Sequence, residues 1–141
     1  MKSLDSRWKQ RFTNFEKAVL RLESALEDDP DRLSQLEQEG VIQRFEYTFE
    51  LAWKVLKDKM EADGLRLDRI SPKVVIKQAY ASRYIENIET WLQMINDRNL
   101  MSHTYDSLKF EAVLKTIVSD YLPLLKNWYL SLRTEIENES E

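Results

Sequence analysis

An all-α fold, an antiparallel up-and-down bundle of four to five helices, is what this 141-residue chain predicts. Three observations carry the prediction. Two glycines and three prolines among 141 residues, with 33% charged and 43% hydrophobic side chains, suit long helices and suit sheets poorly. Apolar residues recur at alternating spacings of three and four along several segments, which puts them on one face of a helix. The length suits one core, able to bury roughly two thirds of the unfolded surface, so residues 1–141 are expected to form a single domain.

Each element follows from local signals. Leu4, Trp8, Phe12, Phe15, Val19, Leu22 and Leu26 form a bundle-type seam on a first helix, ended by Asp28-Asp29-Pro30-Asp31. A short helical piece from Arg32 to Glu39 is then expected to lead through Gly40 into a long second helix ending near Asp63-Gly64, with Val41, Phe45, Phe49, Ala52, Val55 and Leu56 inward. Leu65 to Ile70 read as a loop. Ser71-Pro72 supply the N-cap and first residue of a third helix through Val74, Val75, Ala79 and Tyr80. The fourth runs from about Asn87 to His103, and Asp106 or Ser107 caps a last long helix through Leu114, Ile117, Tyr121, Leu124, Leu125, Trp128 and Leu132, with Pro123 a candidate kink. Val113, Val118, Leu122 and Tyr129 lie off its main stripe, so either a second contact such as homodimerisation or a protein partner covers them, or the internal core face is wide.

Composition excludes several chemistries. With no cysteine and one histidine there is no disulfide, thiolate metal site or Cys nucleophile, and no HExxH. Neither Gly40-Val41 nor Gly64-Leu65 belongs to a phosphate-cradling loop. Asp29-Pro30-Asp31 has a carboxylate spacing seen in two-metal transferases but no strand to hold it, so it reads as a turn. The first residues lack the apolar core of a signal peptide, and no run approaches the ~20 apolar residues of a membrane span. The expected protein is soluble and cytoplasmic. A net charge of −4 with an acidic C-terminal run advertises no duplex DNA binding, so any nucleic-acid contact has to be local.

Arg98-Asn99-Leu100-Met101-Ser102-His103-Thr104-Tyr105 is the segment that carries chemistry. The stripe Ile88, Trp91, Leu92, Ile95 runs into Asn99 and Ser102, with Arg98 and His103 on its shoulders, so the inward face turns polar there. Such a face must be hydrogen-bonded, solvated or used by a ligand; a capped helix end with a surface histidine is the plain alternative. A histidine, whose ordinary pKa is near 6.5, can move protons at neutral pH, and an arginine can stabilise phosphate charge. These are the minimal parts for metal-free RNA cleavage by the substrate's 2′-hydroxyl. Arg98 and His103 stand about 140° apart on an ideal helix, which a composite dimer site would reconcile. Asn99, one turn before His103, is placed to orient the imidazole, and Tyr105 puts a phenol beside the same pocket. Glu46 and Glu50, one turn apart, read most simply as a solvated stripe with Glu50 facing Lys54 or Lys57, and are otherwise supporting acids for the site.

The spacing Arg98-x4-His103-x-Tyr105 resembles the signature of the HEPN superfamily. Together with Phe45-Glu46-Tyr47-Thr48-Phe49-Glu50-Leu51-Ala52-Trp53-Lys54 and the order of helices, essentially the whole chain resembles that superfamily's nucleotidyltransferase substrate-binding proteins. The resemblance implies a helical bundle that dimerises and works beside a separately encoded minimal nucleotidyltransferase. That partner would supply the divalent metal and nucleoside triphosphate chemistry, this chain holding no cofactor of its own. In related two-component toxin systems the positions of Arg98 and His103 are ribonuclease residues, and that of Tyr105 accepts nucleotidyl groups from the partner. Two functions are therefore expected in competition. One is a binding subunit that docks the transferase and presents a nucleotide or acceptor, using Arg98, Asn99, Ser102, His103 and Tyr105. The other is a metal-independent ribonuclease toxin, silenced by modification of Tyr105. The acidic net charge, which captures RNA weakly, favours the first.

Overall fold

The computed structural model describes residues 3–103 and 106–139, with the backbone alone at Ser107. Its helices are α1 (Leu4–Ala25), α2 (Gln35–Ala62), α3 (Pro72–Ala81), α4 (Ile88–Met101), α5 (Ser107–Thr116) and α6 (Leu122–Glu139). The two longest, α1 and α2, pack against each other over most of their length. Helix α6 lies along α1, α5 along α2, and α3 bridges α2 and α4. The result is an all-α helical bundle, as predicted. Among the described residues no helix is long and apolar enough to cross a membrane.

The caps follow the sequence. Ser3 opens α1 and Ser71 opens α3, each by accepting a backbone N–H three residues on, with Pro72 at the first turn of α3. Gly64, at φ +92°, closes α2. Its N–H reaches Glu61 and that of Leu65 reaches Met60, the double bond of a Schellman end that glycine adopts without a Cβ clash.

The expected break near Gly40 does not occur. A single 3₁₀ turn, Pro30–Arg32, takes the place of the short helical piece, and α2 starts at Gln35 and runs straight through Gly40. A capping box explains the earlier start: Ser34 Oγ accepts the Glu37 N–H at 3.1 Å while the Glu37 carboxylate accepts the Ser34 N–H at 3.0 Å. A glycine inside a helix costs about 1 kcal/mol, little beside the burial of Val41, Ile42 and Phe45 just after it. At the other end of the seam Leu4 stays 44% exposed, in the first turn of α1.

The expected last long helix is divided by a π turn at Ile117–Tyr121, where the Leu122 N–H reaches back to Ile117. The Pro123 ring would press on the carbonyl four residues earlier, Ser119, and the wide turn opens that position. The strain set by Pro123 is thus relieved upstream of it. Of the two readings of the off-stripe residues, the fold favours the wide internal face: Val113 and Tyr129 are buried, Leu122 packs on the core, and Val118 alone of the four is exposed. The wide internal face is the one the fold uses.

Aromatic rings tie the helices together. Trp91 of α4 meets Trp128 of α6 edge-on at 5.2 Å, Trp128 meets Phe15 of α1 at 5.3 Å, and Phe45 of α2 stacks on Tyr121 at 5.3 Å. These contacts tie the first turn of α4 to α6 and α1, and α2 to the π turn.

Candidate functional site

Helix α2 contributes Glu46 and Glu50 on one face, and α4 brings Arg98 across to them near its C-terminal end. Arg98 Nη2 lies 2.9 Å from Glu50 Oε2, and the other Glu50 oxygen lies 3.3 Å from Lys54 Nζ. One carboxylate is therefore shared by two cations. Arg98 Nη1 also donates to Asn99 Oδ1 at 3.4 Å, and Ser102 Oγ donates to the Arg98 carbonyl at 3.0 Å, closing the helix end. The Arg98 and Glu50 side chains keep 31% and 30% of their surface. Pairs so exposed contribute about 0–1 kcal/mol, too little to be the reason for the arrangement.

Glu46 faces the same group. Burial pushes its carboxyl above the ordinary value, while Arg98 and Ser102 pull it back. The reading of Glu46 and Glu50 as a solvated stripe is thereby corrected: both are half-buried against α4, because α2 and α4 cross at this point. A carboxyl raised in the folded state costs stability once ionised. Its contribution is favourable below the ordinary carboxylate range and is lost as pH rises through the folded pKa. Glu46→Gln is accordingly expected to raise Tm at pH 7 relative to the parent, with the difference shrinking toward zero at pH 4. Paired thermal melts at the two pH values check this, and a variant less stable at pH 7 would contradict it.

Of the sequence-predicted residues, then, the structure brings together Arg98, Asn99, Ser102, Glu46 and Glu50. His103 sits exposed in the turn after α4, its N–H bonded to the Leu100 carbonyl at 3.1 Å. Among the described residues it shares no hydrogen bond with Arg98, and the Asn99 side-chain oxygen is turned to Arg98. Tyr105 lies outside the described residues. Leu100 and Leu108, 40% and 73% exposed, flank this corner with apolar surface.

Two functional neighbours escaped the sequence reading. The Tyr121 hydroxyl donates to the Asp97 carboxylate, next to Arg98. Burial first, and then Asp97, push that phenol far above its ordinary pKa, so it stays a donor. Tyr121 looked like one more core position in the stripe. A phenol hydroxyl in an otherwise apolar stripe, needing a partner once buried, was the available signal. The bond anchors the last turn of α4 to the π turn and so sets where Arg98 stands.

Comparison with known proteins agrees with this framework. A curated protein of Haemophilus influenzae named "Probable ribonuclease HepT" is 34% identical over 86 residues, a match covering 59% of this chain and 58% of that protein. The chain thus spans less than two thirds of that relative's length. A crystal structure from Thermus thermophilus matches at 36% identity with a TM-score of 0.71, covering 83% of this chain and 96% of the other. A Haemophilus influenzae protein, whose structure is described as the fold of a substrate binding domain of a nucleotidyltransferase, superposes with a TM-score of 0.65 over 93% of this chain and 99% of its own. At 24% identity that likeness speaks for the fold alone. The model of the family described as nucleotidyltransferase substrate binding protein like matches residues 10–134, a span that holds both α2 acids and the whole Arg98 segment. The chain belongs to that family.

Proposed function

We propose that the chain is the nucleotide- or acceptor-binding subunit of a two-component nucleotidyltransferase. The observation that carries this reading is the partly exposed Arg98 guanidinium held by Glu50 where α4 meets α2, inside a chain of this family. An arginine fork poised on a carboxylate matches a phosphate bidentately, and a ligand phosphate would exchange with Glu50. Asn99 and Ser102 bond to Arg98 and orient what it holds, and His103 and Tyr105 follow them in sequence. The partner transferase supplies the divalent metal and the nucleoside triphosphate, and this chain supplies position. Exposed Leu100 and Leu108 beside the motif support a protein contact there, either with a second copy in a homodimer or with the transferase.

The second reading, a metal-independent ribonuclease toxin, is favoured by the name of the Haemophilus relative and by the complete Arg98, His103, Tyr105 pattern. In it His103 would take the 2′-hydroxyl proton, Arg98 would hold the phosphate, and nucleotidyl transfer to the Tyr105 hydroxyl would silence the pair.

One experiment separates them. Co-expressed with a minimal nucleotidyltransferase from the same organism, the chain is expected to co-elute as a complex, specific interfaces usually burying more than about 1,000 Å², and to leave RNA intact in EDTA. Cleavage in EDTA that His103→Ala abolishes, a positioned acid or base contributing about 10²- to 10⁴-fold, would replace the first reading by the second.

A further inference from the structure

At the other end of α4 two cavities of about 350 and 410 Å³ share the residues Arg83, Tyr84, Trp128 and Ser131. They form one groove between the α3–α4 connection and α6. Each is within the ~300–1,000 Å³ common for small-molecule pockets, and the groove lies roughly 16 Å along α4 from Arg98 at 1.5 Å per residue.

The backbone of Arg83 is unusual. Helix α3 ends in the same Schellman arrangement as α2, with the Arg83 N–H on Tyr80 and the Tyr84 N–H on Ala79, but its left-handed position, φ +67°, is occupied by arginine. The corresponding residue of α2 is Gly64. Glycine suits this position without steric cost, and a long side chain is strained there. Stability alone therefore does not account for an arginine at Arg83. Among the described residues no carboxylate lies within ion-pair distance of its guanidinium, although Glu86 lines the same groove. The acids of the first cavity are already committed: Lys59 Nζ pairs with Glu135 at 3.0 Å and Asp63 at 3.5 Å, and the Tyr84 hydroxyl donates to Asp63 at 2.7 Å. Beside Arg83, Ser82 Oγ accepts from Gln78 at 2.9 Å, which leaves its own proton for a ligand. Trp128 is half-buried, with an indole surface open to the groove.

We propose that this groove is a second ligand site, for a small aromatic phosphate of the nucleoside monophosphate class. Arg83 and Ser82 hold the phosphate, and Trp128 supplies a face for the base. An unpaired planar cation selects an anion, and the aromatic wall selects a flat ring system.

The test uses AMP, with adenosine and inorganic phosphate as part-probes, on the full chain carrying Arg98→Ala. That background removes the first phosphate anchor, so failure here and failure of the function proposed above give different results. Calorimetry and tryptophan fluorescence are expected to show one AMP per chain, with adenosine and phosphate each binding more weakly. Adding Arg83→Gly should weaken AMP at least tenfold while raising Tm, because it relieves the left-handed strain; a purely structural Arg83 would not separate the two readouts. AMP binding untouched by Arg83→Gly, or binding seen in the parent but absent from Arg98→Ala alone, would overturn the proposal.

Discussion

Arg98→Ala is expected to weaken nucleotide binding by about 10- to 150-fold, the 1.5–3 kcal/mol typical of a lost charge-assisted hydrogen bond, with Tm nearly unchanged. The small stability effect follows from the exposure of the Arg98–Glu50 pair, worth about 0–1 kcal/mol. Its partner supplies the control. Glu50 competes with a phosphate for the same guanidinium, so Glu50→Gln should strengthen binding severalfold. Titration calorimetry with a nucleoside monophosphate, in the Arg83→Gly background to silence the distant groove, reads both variants. Glu50→Gln weakening the ligand as much as Arg98→Ala would mean that the carboxylate orients the arginine and does not compete with the ligand.

Trp91→Ala should cost about 3–5 kcal/mol, the range for removing a buried large aromatic. Trp91 is 2% exposed and sits between Phe49 of α2 and Trp128 of α6. Its removal leaves a cavity under the first turn of α4, and a shift of that helix into it is expected to move Arg98, two turns on, relative to Glu50. Domains of this size commonly have 5–15 kcal/mol in total, so urea unfolding should show a large drop in midpoint together with weakened nucleotide binding. Trp91→Phe should recover most of both. A midpoint shift equivalent to under 1 kcal/mol would show that α4 is held by other contacts.

Much of the helix layout was legible in the chain itself because it rests on local chemistry. Spacings of three and four placed Trp8, Phe12, Phe15, Val19 and Leu22 inward on α1, Ser71-Pro72 announced α3, and Gly64 marked the end of α2. The Arg98 segment stood out for a similarly local reason, a polar inward face at a helix end. What the chain could not disclose are the relations across long separations. Glu46 and Glu50 look like a solvent stripe until α4 crosses α2 and sets Arg98 against them, 48 residues away. Tyr121 reads as core until its hydroxyl meets Asp97. The apolar residues Val113 and Tyr129 read equally as spare surface or as part of a wide core face, and only the packed bundle, which buries both, decides for the core. Periodicity reports which face of a helix is apolar, because that depends on neighbours three and four residues away. Which faces meet depends on the packing of all the helices together. That packing pairs Arg98 with Glu50, and so gathers into one group residues that are ordinary surface charges when read alone.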